Sequence, residues 1–360
     1  MKGRDAARTS YDPSVSGPRG EVRTRWVHEG SKAKLSGQDV VVGDEAVYAT
    51  TKEDVYAVDP ASGDVDWSAS LGHGLRCPLV YDGDLYLGAG GDDHVFSLST
   101  GGLLSRLTGR TNWRLDAPDG WAKLSPAPFD GNVLAGSMGV LYELTPAGDV
   151  ERTHTFGEYM SSPAVDAGVL YIGLRGFEDL ESRDDVPGSV VAVDARSGAE
   201  RWRFRLDHRY DKLDYTPAVA GDTVYAVASR TQADDDGYLF ALDRRRGDER
   251  WRFSTDGRLL SPAVTEDLVV VGGLDGVFAV DRATGERRWH YRTDGWATQA
   301  VVTRDSVYVG GDGVTAIDLA SGQRLWHHPT PHRVGVPAVD DGVVFAGGLY
   351  GTLHAIEGAR

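Results

Sequence analysis

The chain has 360 residues, 41% of them hydrophobic, and a net charge of −16 from 54 acidic against 38 basic residues. That balance argues against a nucleic-acid partner, because little in it would neutralise phosphates. No apolar run approaches the ~18 residues of a membrane span, so a soluble chain is expected, and one long enough to bury a core.

Residues 1–21 form a polar lead-in, "MKGRDAARTSYDPSVSGPRGE", in which no export signal is legible. Next comes "VRTRWVHEG", a strand-like run that matches the ends of later repeat units, "AERWRFRL", "DERWRFST", "ERRWHYRT" and "QRLWHHPT". No unit stands in front of it. Beyond it the chain is periodic. "PLVYDGDLY" (Pro78–Tyr86), "PAVDAGVLY" (Pro163–Tyr171), "PAVAGDTVY" (Pro217–Tyr225), "PAVTEDLVV" (Pro262–Val270) and "PAVDDGVVF" (Pro337–Phe345) share one pattern. Looser copies run from Val40 to Tyr48, Pro126 to Leu134 and Ala300 to Tyr308, which makes eight units.

Each unit continues through a Gly-containing turn to a second alternating run such as "VYAVD", then "SG" or "TG", and, four residues after that Gly, Trp. Short alternating runs separated by Asp-Gly, Gly-Asp and Ser-Gly turns are strand-and-turn chemistry. Four short strands per unit, repeated, predict an all-β, eight-bladed β-propeller of four-stranded antiparallel blades. The last unit, from Pro337, ends after three strands, so residues 22–28 are expected to complete blade 8 with residues 336–357. Closing the array this way removes raw sheet edges. The expected organisation is the lead-in, 1–21, and a single propeller, 22–357.

The Gly-to-Trp spacing of four holds for Gly63–Trp67, Gly198–Trp202, Gly247–Trp251, Gly285–Trp289 and Gly322–Trp326, and Trp26 takes the same role in the closing strand. Regular placement on outer strands predicts docking between blades rather than ligand stacking. Blades 2 and 3 carry Ser105 and Arg152 at that spacing and are expected to lack the docking residue. The single Cys77 excludes an internal disulfide and reads as a buried structural thiol.

Three irregularities fall on one side of the repeat: inserts at 175–189 and 229–238 and a long connection at 109–125. Long loops on a rigid scaffold are where binding lives. The residues placed just before inner strands are His73, Arg76, Trp113, Trp121, Lys123, Tyr159, His208, Tyr215, Arg258, Trp296, His332 and Arg333. Converging aromatic and cationic groups there suit an anionic planar ligand or a peptide, or they merely plug the channel. Asp234, Asp235 and Asp236, and separately Glu181, Asp184 and Asp185, are weak calcium candidates without the alternating spacing of a dedicated loop. His327 and His328 are expected to be exposed on an outer strand. No zinc spacing, phosphate loop, nucleophile elbow or catalytic triad is present.

The "AVDxxTGxxxW" pattern, as in "FAVDRATGERRW" and "YAVDPASGDVDW", resembles the pyrroloquinoline quinone (PQQ) repeat family over residues 35–357. "GRDAARTSYDPSVSGPRGEVRTRW" is similar to the lead-in of quinoprotein dehydrogenases. The resemblance implies an exported, extracytoplasmic protein whose signal segment is absent from this sequence. In quinoprotein dehydrogenases it implies PQQ, a calcium ion and a vicinal Cys-Cys pair, which one cysteine cannot supply. The shorter, non-enzymatic BamB-type propellers, which bind partner proteins through loops, fit better. Forty Asp against six Lys resembles proteins of salt-loving archaea, or an acidic protein from a GC-rich genome. The expected function is a monomeric, non-catalytic scaffold for a protein or peptide. A PQQ- and calcium-binding redox protein and a structural cell-surface module are the alternatives.

Overall fold

In a computed structural model, the structure describes residues 5–29, 40–100, 110–117, 124–137, 139–156, 159–178, 185–207, 213, 215–229 and 236–359. Eight four-stranded antiparallel sheets contain all but three of the described strands, and the fold is an eight-bladed β-propeller. The only helix among the described residues is one 3-10 turn, Leu349–Gly351.

From inner to outer strand, blade 1 is Val40–Val42, Val47–Thr50, Asp54–Val58 and Val65–Ser70. Blade 2 is Leu75–Tyr81, Asp84–Ala89, His94–Ser99 and Thr111–Asp116, and blade 3 is Ala127–Phe129, Asn132–Gly136, Val140–Leu144 and Val150–Thr155. Blade 4 is Ala164–Asp166, Val169–Leu174, Ser189–Asp194 and Glu200–Arg205, followed by blade 5 with Ala218–Ala220, Thr223–Ser229, Gly237–Asp243 and Glu249–Thr255. Blade 6 is Ala263–Val264, Leu268–Gly273, Gly276–Asp281 and Arg287–Tyr291. Blade 7 is Val301–Thr303, Ser306–Val309, Gly313–Asp318 and Arg324–Pro329. Blade 8 is Ala338–Asp340, Val343–Gly347 and Thr352–Gly358, completed by Val22–Glu29 from the start of the chain. The chain divides into two compact units: blades 4 to 6 with Asp5–Ser10, and the other five blades with Tyr11 onward.

The two middle strands of each blade are buried on both faces, so they read as near-continuous Val, Ala, Leu and Tyr. Across a blade one row of partners recurs. Tyr48, Ala57 and Trp67 face one another in register, as do Tyr171, Ala192 and Trp202, and Tyr225, Ala241 and Trp251. Alanine in the middle leaves room for the flanking rings to meet, at centroid distances of 5.9, 6.0 and 5.9 Å. The indole N–H then reaches the next blade: Trp202 donates to the Arg244 carbonyl and Trp251 to that of Arg282. Gly63 shows why the turn needs glycine. It sits at φ +83°, and a Cβ there would come within 2.6 Å of the Trp26 ring.

The Asp of the repeat has its own cause. Asp281 accepts N–H bonds from Ala283 and Thr284 in the turn and pairs with Arg288, and its carboxyl is pushed down to about 2 by that guanidinium first. Asp194 repeats the arrangement with Ser197 and Arg201.

Blade 2 departs from the sequence reading. Its outer strand is Thr111–Asp116, and Trp113 completes the row Tyr86, Ser97, Trp113, while Ser105 lies outside the described residues. Trp113 donates to the Pro146 carbonyl of blade 3 at 3.0 Å, and Gly148 makes room for its ring. Trp113 is therefore an outer-strand residue and not part of a channel mouth. Blade 3 does lack the indole. Its row is Leu134, Glu143 and Arg152, with Glu143 buried and held by Arg152 and Asn132.

Blade 8 has no turn joining its third strand to its outer strand, because these come from opposite ends of the chain. Pro18 supplies the missing acceptor: its carbonyl takes the Trp326 indole N–H at 2.7 Å and the Tyr308 hydroxyl at 3.3 Å. Arg19 fixes the same segment through Asp305 and Asp318. The rest of the lead-in runs along inner strands. Val165, Val219 and Val264 donate backbone N–H bonds to Ala6, Ala7 and Thr9. Tyr11–Asp12 then pairs in parallel with Val302–Thr303 of blade 7.

Trp326→Ala should destabilise the protein by about 3–5 kcal/mol, whereas Trp326→Phe, which keeps most of the packing and loses the bond to Pro18, should cost less, with about 1 kcal/mol of it from the lost bond. Urea unfolding of the two variants checks both.

Candidate functional site

In each antiparallel blade, the connection entering the inner strand and the turn between the two middle strands lie at the same end of the sheet. The described candidates other than Trp113 lie at such ends of their own blades. Four of them hold equivalent stations. The carbonyls of His73, Tyr159, Arg258 and Arg333 each accept an N–H from the middle turn of the blade they enter, from Gly91, Arg175, Leu274 and Leu349 respectively. The fold thus presents a variable side chain at a fixed backbone position, blade by blade.

What those side chains meet differs. The exposed His73 imidazole lies 3.2 Å from Glu53 and 3.6 Å from Asp92. Arg333 pairs with Asp312 at 2.9 Å. His332 stands edge-on to Tyr350, with centroids 4.6 Å apart. Tyr350 itself adopts φ +68°, a left-handed conformation that costs a non-glycine residue about 1–3 kcal/mol. Trp296 is half-buried, and Tyr215 packs on the apolar core of blades 5 and 6. Trp121, Lys123, His208, Asp234, Asp235, Glu181 and Asp184 lie outside the described residues, as do the side chains of Arg76, Cys77 and Asp185. Among the described residues no three His, Cys, Asp or Glu side chains converge as metal ligands, Asp236 included.

Within the unit of blades 4 to 6, a cavity of about 580 Å³ opens at this end of blades 5 and 6. Phe253, Phe278 and His290 form its floor, with His290 lying flat on Phe278 at 4.0 Å and 12°. Its walls include charged side chains from the segments after two outer strands, from one middle turn and, with Arg287, from the outer strand of blade 6 itself. The sequence reading missed this group. Its trace is the tripeptide Thr-Asp-Gly, which recurs at 255–257 and 293–295 directly after successive outer strands.

A histidine cluster marks the seam of blades 7 and 8. His354 is buried on a middle strand, cross-strand from Val27 and Ala346. His328, half-buried rather than exposed, accepts or donates a bond to Thr24 of the closing strand at 3.0 Å, and the more exposed His327 does the same with Thr315. Burial, then the neighbouring His328 and His332, hold His354 below its usual range; burial, then His327, does the same for His328.

The matching family model, outer membrane protein assembly factor BamB, covers residues 20–173 and 186–360. The chain belongs to the BamB family. No curated protein matches it. Among solved structures it is similar to BamB from Moraxella catarrhalis, at 19% identity and a TM-score of 0.67, over 94% of this chain and 98% of that one. It is similar to quinohemoprotein alcohol dehydrogenase from Comamonas testosteroni, at 16% identity and a TM-score of 0.74, over 100% of this chain and 81% of that one. A europium-containing methanol dehydrogenase matches at 13% identity and a TM-score of 0.72, over 99% and 97% of the two chains. At these identities the solved structures bear on the fold alone. Among the described residues no helix is long and apolar enough to cross a membrane.

The histidines set a pH dependence. Their folded pKa values are depressed, so the unfolded chain protonates first, and stability is full above about pH 6.5 and falls as pH drops below it. Carboxylates depressed in the fold, Asp222 and Asp281 at about 2 among them, add a second loss below about pH 4. Thermal melting from pH 7.5 to 3 should show both steps, and His354→Gln should flatten only the upper one.

Proposed function

We propose that this chain is a non-catalytic, exported propeller that docks a protein or peptide partner at the sheet ends carrying the connections into the inner strands. One observation carries the reading. Of the exposed large hydrophobic side chains among the described residues, Val27, Val65 and Val150 lie on outer strands, and the two aromatics, Tyr159 and Tyr350, both lie at these ends. Exposed tyrosine gives large contact area with little entropy to lose, which is why it is enriched where proteins bind one another. Membership of a family named for outer membrane protein assembly supports a protein partner.

The alternative, a resident PQQ with calcium, finds poor support in the residues present. The one cysteine cannot form a vicinal pair.

Photo-crosslinking in the native host tests the docking reading. p-Benzoylphenylalanine at positions 159 and 350 should give a discrete crosslinked species, and at positions 65 and 150 it should not. Equal crosslinking from all four, or none from any, would overturn it. Thermal unfolding with PQQ plus Ca²⁺ should leave the midpoint unmoved; a dose-dependent rise, which native-state binding requires by mass action, would carry the redox alternative instead.

A further inference from the structure

We infer that the cavity at the end of blades 5 and 6 is a binding pocket for an arginine side chain of a peptide segment, with an acidic group next to that arginine. This rests on the docking reading and names the chemistry of the partner.

The pocket gathers unpaired charge of both signs in one place. Five arginines of the outer strands of blades 4 to 6 are neutralised within the blade, Arg201 by Asp194, Arg203 by Glu200, Arg250 by Asp222 and Asp243, Arg252 by Glu249, and Arg288 by Asp281, while Arg205 and Arg324 stand singly without an ion pair among the described residues. The walls of the cavity bring together Asp256, Asp275, Asp294, Arg287 and Arg292, and among the described residues none of these has an ion pair. All five are exposed, so keeping both signs apart costs little in water. An occupant that brings the complementary charges would pair them while displacing that water.

The floor narrows the choice. Nε2 of His290 lies 2.9 Å from the Asp275 carbonyl, which can only accept, so that nitrogen carries the proton. The ring is thereby fixed flat on Phe278. A guanidinium is planar, stacks on aromatic faces and takes carboxylates in a bidentate fork, whereas an ammonium does neither as well. Three carboxylates against two guanidiniums favour a cation at the centre and leave Arg287 and Arg292 for a neighbouring acid. The Asp275 carboxylate is set in place by Gly257, where a Cβ would come within 2.5 Å of it. At about 580 Å³ the cavity lies within the size range of ligand sites and is larger than one side chain needs, which leaves room for the flanking acid.

The test uses a dansyl-labelled, C-terminally amidated peptide, Gly-Gly-Arg-Asp-Gly-Gly, whose zero net charge removes any general pull from the protein's −16. Fluorescence anisotropy against the full chain should saturate. Replacing the arginine by citrulline should weaken binding at least tenfold. The triple variant Asp256→Asn, Asp275→Asn, Asp294→Asn should do the same, and Arg287→Gln with Arg292→Gln should weaken it less. A control triple, Asp44→Asn, Asp66→Asn, Asp82→Asn, removes equally exposed charge elsewhere and should bind as the wild type does. No saturable binding, equal affinity for the citrulline peptide, or equal loss in both triples would overturn the inference. Crosslinking from positions 159 and 350 that persists alongside such a result would reject the pocket and leave the docking reading standing.

Discussion

A sheet that is not closed on itself has two edges, and every edge carries backbone N–H and C=O groups that must find partners. In this protein residues 5–29 answer that constraint twice. Residues 6, 7 and 9 accept N–H bonds from the inner strands of blades 4, 5 and 6, and Tyr11–Asp12 adds a parallel strand to the inner edge of blade 7. Residues 22–29 then become the outer strand of blade 8. Between these two tasks Pro18 replaces the turn that blade 8 lacks, and the blade 7 tryptophan docks on it as the others dock on theirs. A short polar segment is thus bound into the sheets of both compact units.

The inter-blade packing follows from the same arrangement. A docking indole needs a small residue in the middle of its row, an acceptor carbonyl in the next blade and a glycine in the turn it covers. Each strand-turn-strand stretch carries the small residue for its own indole and the acceptor and glycine for the indole of the blade before, which is why the repeat is legible as a single phrase ending in Trp. Blade 3 shows that the row can be rebuilt from polar groups. Glu143 is buried there, and removing Arg152 or Asn132 would leave a charge with its solvation lost and its partner gone, a more costly change than the loss of a surface ion pair.

How much of this could be read from the sequence depended on whether side chains or backbone carried the interaction. The blade count, the strand order and the closing strand were legible because alternation, turn residues and Trp spacing are side-chain signals. Trp113 is missed because blade 2 offers two glycines for the same rule: counting four from Gly101 gives Ser105, whereas Gly109 stands four residues before the indole, as in the other units. The inner path of the lead-in left no trace, since Ala6, Ala7 and Thr9 act through their carbonyls and any residue has one. The stations of His73, Tyr159, Arg258 and Arg333 were found from their position before inner strands, but their surroundings were not, because Glu53, Asp92 and Asp312 come from turns distant in sequence.

Charge pairing separates the parts of this surface that hold the fold from the parts left open to a partner. A carboxylate that caps a turn and binds an arginine seven residues on, as Asp194, Asp243 and Asp281 do, has its hydrogen-bonding capacity spent inside the blade. Such pairs keep a chain of this acidity from repelling itself along its outer strands. Around His290 the same residue types occur at the same kind of place, after outer strands and in a middle turn, yet their charges face a cavity instead of each other. Sequence composition cannot tell the two situations apart, since both consist of Asp and Arg. The difference is one of direction: the turn in blade 6 points Asp275 toward Gly257 and the cavity, while the turn between its third and outer strands points Asp281 back toward Arg288.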